Sequence, residues 1–247
     1  MTDGPQGGGW AGWIEAACAE ALKSAEIQKR WADDLGLDIM VNEHHQTPTC
    51  VDPAAPLLLS ILARQTKKAR LLILGNPIAN RNQPVRVAEE MAMIDCMSRG
   101  RLECGVIRGV PFEVSPANSN PVNMYERMWE AIDLIVKAWT THDGPFSHEG
   151  KYFHHRMVNI WPRPYQQPHP PIWIAAITTE ESFVYAAKNG FNVMIVPYAG
   201  KPGTLQELVA TYRRVWRESG HKPGEEKVQV SMFACVDETG EKARKTF

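Results

Sequence analysis

Cysteine is sparse and unpaired in this chain. Of 247 residues five are cysteine (Cys18, Cys50, Cys96, Cys104 and Cys235), scattered, odd in number and without a C-x-x-C pair. A disulfide-framed secreted domain is thereby disfavoured, and a reduced, cytoplasmic setting is expected. Neither sign of charge is in excess. The 27 Lys and Arg set against 28 Asp and Glu leave a formal net charge of −1, which gives no electrostatic basis for nucleic acid or an anionic membrane as partner. No apolar run approaches the roughly 20 residues that span a bilayer. The opening MTDGPQGGGW lacks the basic and apolar regions of a signal peptide. Metal-ligand spacings are missing as well: neither H-x-H nor H-E-x-x-H occurs, which counts against a zinc or amidohydrolase-type site. No G-x-G-x-x-G follows the first predicted strand, so a Rossmann dinucleotide site is disfavoured.

What remains is an ordinary globular composition, 44% hydrophobic and 22% charged, long enough to bury a sizeable core. Residues 1–13 read as a flexible lead and 14–247 as a single domain. A helix-forming stretch from Ile14 ends at Gly36, and Leu37 to Val41 reads as a strand that delivers Glu43, His44 and His45 to its end. Leu57 to Thr66 is helical, and Ala69 to Leu74 is a buried strand ending in Gly75-Asn76-Pro77. PVRVAEEMAMIDCMSRGRLECGVIRGVP, from Pro84, gives a helix with Val85, Ala88, Met91, Ala92 and Ile94 as its apolar stripe. Gly100 is its expected left-handed stop, and Leu102 to Ile107 is the strand that follows. Tyr125 to Thr140 is another helix. The Pro-rich aromatic stretch at about 141–171 is too long for a connector and reads as a lid or insertion. Ile172 to Ala176, Asn192 to Val196 and Val228 to Val236 read as strands, alternating with helices Glu180 to Asn189 and Leu205 to Glu218. Such alternation argues for a parallel α/β sheet, doubly wound or a (β/α)8 barrel.

Three clusters could carry chemistry. Arg108 stands at the carboxyl-terminal end of a strand, where its guanidinium can meet an anion. Thr178 and Thr179 lie ahead of the Glu180 helix, an N-cap position that is a ready anion site, and a phosphate shared with Arg108 is the expected ligand. Glu43, His44 and His45 form the second cluster; adjacent strand residues face opposite ways, so general acid–base work by a histidine is expected rather than metal binding. Gly75-Asn76 permits close approach of a flat ligand. Tyr125 is either a packing residue or a further phosphate donor.

DLGLDIMVNEHH, QPVRVAEEMAMIDCMSRGRLECGVIRGVP, PFSHEGKYF, VNIWPRPYQQPHPPIWIAA and TTEESFVYAAKNG carry, in order, a resemblance to the bacterial luciferase-like, flavin-dependent monooxygenases. It implies a luciferase-like (β/α)8 TIM barrel, incomplete here because a first strand and the last strand and helix have no counterpart. Reduced FMN (FMNH2), delivered by a separate flavin reductase, would bind at the carboxyl-terminal face and react with O2 to a C4a-peroxyflavin that oxidises a small organic substrate. The resemblance places the phosphate at Arg108, Tyr125, Thr178 and Thr179 with Ser182 nearby. The flavin ring would lie against Gly75-Asn76, where relatives often have a non-prolyl cis peptide, and near Ile107. His44 would be the acid–base group with Glu43 and His45 beside it, and the 141–171 stretch would help exclude water. A homodimer is the expected assembly. Hydride transfer with F420 on the same fold is the close alternative, and a truncated, catalytically silent flavin-binding paralogue is the third.

Overall fold

The structure, a computed structural model, describes residues 19, 32–47, 50, 52–200 and 203–246. The lead at 1–13 and most of the helix expected from Ile14 lie outside them. The chain divides into two compact units between Ile172 and Trp173.

In the first unit β1 (Ile39–Val41), α1 (Ala55–Gln65), β2 (Leu71–Pro77), α2 (Pro84–Ser98) and β3 (Leu102–Ile107) alternate, and β2 pairs in parallel with β1 and β3. The registers Ile39 to Leu71 and Ile73 to Cys104 bring all three carboxyl-terminal strand ends to one edge. Every residue of β2 is buried, as a parallel strand covered on both faces requires. β2 runs on through Gly75-Asn76-Pro77, the residues expected to end it.

α2 begins at Pro84, whose missing N–H would lack a partner there anyway. Its buried stripe holds Val87, Ala88, Met91, Ala92 and Ile94. Val87 takes the inward place expected of Val85, which is half-exposed. The left-handed stop also comes one residue earlier than expected: Arg99 has φ 57° and Gly100 φ 80°. Arg101 then locks the turn. Its guanidinium donates to the carbonyls of Ser98, Ala69, Ala63 and Thr66 and to the Thr66 hydroxyl, at 2.7–3.0 Å.

α3 (Pro111–Val114) and α4 (Met124–Thr140) follow. The stretch expected as an irregular lid contains an antiparallel hairpin, β4 (Phe146–Glu149) with β5 (His154–Val158). One carboxylate fixes it: Glu130 of α4 accepts the backbone N–H groups of Lys151, Tyr152 and Phe153 and lies 3.2 Å from His148 Nε2. A Cβ on Gly150 would collide with that carboxylate, which accounts for the glycine in HEGKYF. Further along, Gln166 holds both oxygens of buried Asp95 at 2.8 Å, and Arg163 donates to the Ala138 carbonyl.

The second unit opens within β6 (Ile172–Ala175) and continues through α5 (Glu180–Lys188), β7 (Asn192–Ile195), α6 (Thr204–Glu218), β8 (Val228–Val230) and α7 (Gly240–Thr246). β7 pairs in parallel with β6 and β8. The core between its helices holds Phe183, Ala186, Tyr212 and Val215. The Tyr212 hydroxyl donates to the Phe191 carbonyl at 2.9 Å. The last strand ends at Val230, well short of the expected Val236, because the ladder stops with Ser231 N–H on the Ile195 carbonyl. The described residues thus hold three parallel strands in the first unit and three in the second, where a closed (β/α)8 barrel has eight. No helix among the described residues is long and apolar enough to cross a membrane.

Candidate functional site

The carboxyl-terminal ends of β1, β2 and β3 carry most of the chemistry. Past β1, Glu43 is wholly buried. Its Oε1 lies 2.8 Å from His45 Nε2 and accepts from Arg81 Nη2 at 2.6 Å, while Oε2 accepts the Ala55 N–H at 3.0 Å. Such a charge is tolerable in the interior only because it is fully paired. Three donors thus bind both oxygens, and Glu43 holds its neighbours in place.

His44 is held by a different carboxylate. Glu113, in α3 and 1% exposed, has Oε1 2.8 Å from His44 Nδ1. The same oxygen accepts the His45 N–H at 3.1 Å, and Oε2 accepts the Val110 N–H at 3.3 Å. Nδ1 is turned to Glu113 and the His44 side chain is 37% exposed. A carboxylate behind a histidine fixes its tautomer and ring orientation. Nearby Asp52 has its carboxyl pushed up by burial, with Glu43's charge adding to the rise against a hydrogen bond from the Ala54 backbone.

At the end of β2 the Leu74–Gly75 peptide is cis, and the β2–β3 register shifts between Ile73 and Asn76. A Cβ on Gly75 would collide with the Ile107 side chain, so only glycine fits here. Asn76 is 2% exposed and accepts from Arg81 Nε at 3.3 Å. Gly75, Asn76 and Ile107 are therefore together. So are Arg108 and Tyr125: the guanidinium lies 4.4 Å from the ring centroid. Among the described residues Arg108 side-chain nitrogens have no hydrogen-bond or ion-pair partner, leaving its charge available to an anion.

Thr178, Thr179 and Ser182 lie in the second unit. Thr179 is the N-cap of α5, extended at φ −99°, and no side-chain cap hydrogen bond is formed among the described residues. Ser182 is buried and donates its N–H to the Thr179 carbonyl at 3.1 Å, whereas Thr178 is exposed. Glu180 and Glu181 occupy the first turn. They complement the helix dipole but oppose a second negative charge.

Two residues that sequence reasoning passed over, Arg81 and Glu113, tie the site together. Glu113 had a readable signal: a lone carboxylate between Phe112 and Val114 just after a proline. Arg81, in a polar turn, had none. Beside them is a pocket of about 280 Å³ lined by His45, Asn80, Arg81, Glu113 and Ala117 among others. No group of His, Cys, Asp and Glu among the described residues could hold a metal ion.

The chain is 36% identical over 174 residues to uncharacterized protein y4wF of Sinorhizobium fredii, covering 69% of this chain and 48% of that one. It is 33% identical over 162 residues to the oxygenase component of the flavin-dependent trigonelline monooxygenase of Acinetobacter baylyi, covering 64% and 44%. The F420-dependent glucose-6-phosphate dehydrogenase of Kineococcus radiotolerans is 25% identical over 218 residues, covering 84% and 62%. Among solved structures, monooxygenase RslO1 from Streptomyces bottropensis superposes with a TM-score of 0.83 at 28% identity, covering 90% of this chain and 68% of that one. The chain thus spans about half the length of the first two relatives. The family described as luciferase-like monooxygenase matches residues 6–247, and this chain belongs to it.

Proposed function

We propose that the chain carries the reduced-flavin site of a two-component monooxygenase that uses FMNH2 and O2 to oxidise a small organic substrate. The observation that carries the reading is Arg108, a strand-end guanidinium stacked on Tyr125 and without an ion-pair partner among the described residues. The residues present fit a phosphate-bearing, flat-ringed cofactor. Arg108 and Tyr125 would bind its phosphate. The crowded Gly75–Ile107 contact with Asn76 would seat its ring against backbone. When bound, reduced flavin supplies the electrons that activate O2.

The chain's own residues then have distinct tasks. His44 moves a proton at Nε2, and Glu113 holds its Nδ1 so that Nε2 faces outward. Glu43 fixes His45 and Arg81. The separate reductase is supported by the trigonelline relative being called an oxygenase component.

Anaerobic titration with FMNH2 tests the proposal. Arg108→Ala should weaken binding at least tenfold, as loss of a charge-assisted hydrogen bond costs about 1.5–3 kcal/mol. Undiminished binding would sink the phosphate assignment. The F420 relative supports hydride transfer as the second reading. It gains if the protein binds reduced F420 and ignores FMNH2.

A further inference from the structure

The pocket beside Glu43 has a wall of hydrogen-bond donors that the flavin reading does not use. Arg81 places Nη2 on Glu43 and Nε on Asn76, which fixes the guanidinium plane and leaves Nη1 without a partner among the described residues. His45 has Nε2 on Glu43, so its ring supplies a wall of the pocket and no further N–H. Both residues line the pocket. Asn80 also lines it, and its Nδ2 and Oδ1 are buried with no described partner. Native interiors rarely leave such groups unmatched, and an unmatched amide beside a pocket of this size calls for a ligand.

The two carboxylates close by do not contradict an anion. Glu43 accepts from three donors and Glu113 from three, so their charge is directed into Arg81, His45, His44 and backbone N–H groups. What they leave facing the pocket is the unused edge of the Arg81 guanidinium. A guanidinium edge beside an amide N–H matches the two oxygens of a carboxylate. About 280 Å³ accommodates a single ring bearing that group.

We propose that this pocket is the substrate anchor and that it takes a small ring-bearing carboxylate, held by Arg81 Nη1 and Asn80 Nδ2 with the His45 ring beside them. Calling that ligand the substrate rests on the monooxygenase reading above; the carboxylate selectivity does not. Asn76 shares Arg81 with the pocket, which puts the anchor one hydrogen bond away from the proposed ring seat.

Calorimetric titration of the intact chain without flavin tests the anchor. Benzoate and nicotinate should bind at least tenfold tighter than benzamide and nicotinamide, which match them in shape but lack the charge. Ala117→Leu narrows the pocket without touching the ion network and should weaken carboxylate binding at least tenfold with an unchanged melting temperature. Arg81→Lys keeps a cation beside Glu43, should lose the preference over amides, and is read only if it melts like the parent. The proposal is overturned by absent carboxylate binding, by amides binding equally well, or by Ala117→Leu leaving carboxylate affinity unchanged. FMNH2 titration of the same preparation separates the two ideas: flavin binding without carboxylate selectivity defeats the anchor alone, and selectivity without flavin binding defeats the flavin reading alone.

Discussion

Under the proposed function, Glu113 would govern a proton transfer without touching substrate. Its Oε1 fixes His44 Nδ1 at 2.8 Å, and its remaining bonds hold the backbone on either side of the site. Glu113→Gln keeps the shape but presents a neutral amide to the ring. Turnover should fall about 10- to 100-fold with little change in KM, since acid–base help is worth roughly 10²–10⁴ and only its alignment is lost. The pH–rate profile should shift as well, which a merely structural role would not cause. An unshifted profile at parental rate would remove Glu113 from the mechanism. Gly75 makes a steric rather than an electronic demand. Gly75→Ala forces a Cβ into Ile107 and should destabilise by about 1–3 kcal/mol, the usual cost of overpacking. Pairing it with Ile107→Ala should recover part of that loss in denaturant melts. Failure to recover any would place the strain elsewhere.

At the scale of elements, the β4–β5 hairpin depends on a single carboxylate of α4. Glu130 loses some stabilisation to desolvation, yet the Phe153 and Tyr152 N–H groups and His148 hold its carboxyl below the usual range. A carboxyl whose folded pKa is depressed stabilises the protein above its unfolded value, about 4.3, and that contribution drains away as pH falls through the lower folded value. Urea midpoints of the parent should therefore drop from pH 6 to pH 3 more steeply than those of Glu130→Gln. Equal slopes would show that the hairpin does not depend on this charge. The same hairpin shows what the sequence concealed. His148, Glu149, His154 and His155 lack apolar alternation; the hairpin buries only Phe153 and Val158, and Glu130 holds its turn. β2 was legible as a short apolar run and α2 by its stripe, since both pack into a real core. His44, Gly75 and Arg108 could be read as strand-end residues. Arg81 and Glu113 could not be joined to them, since the pairs Glu43–Arg81 and His44–Glu113 lie 38 and 69 residues apart in the chain.

For the whole molecule, the cofactor reading makes a thermodynamic demand that needs no substrate. A ligand that binds only the folded chain stabilises it by about 2.7 kcal/mol when present at 100 times its Kd. For a chain of 247 residues this corresponds to a rise in Tm of roughly 5–10 °C. Scanning calorimetry under anaerobic conditions with FMNH2 would record it. Arg108→Ala, binding tenfold more weakly, should keep only about half the stabilisation, some 1.4 kcal/mol at the same ligand concentration. Arg108→Lys should fall between, because a point charge replaces the planar fork but keeps its sign. The variants should melt like the parent without ligand, since Arg108 contributes a stacking contact with Tyr125 and no ion pair among the described residues. If FMNH2 raises the Tm of parent and Arg108→Ala equally, the flavin binds elsewhere, and the strand-end arginine serves only to pack against Tyr125.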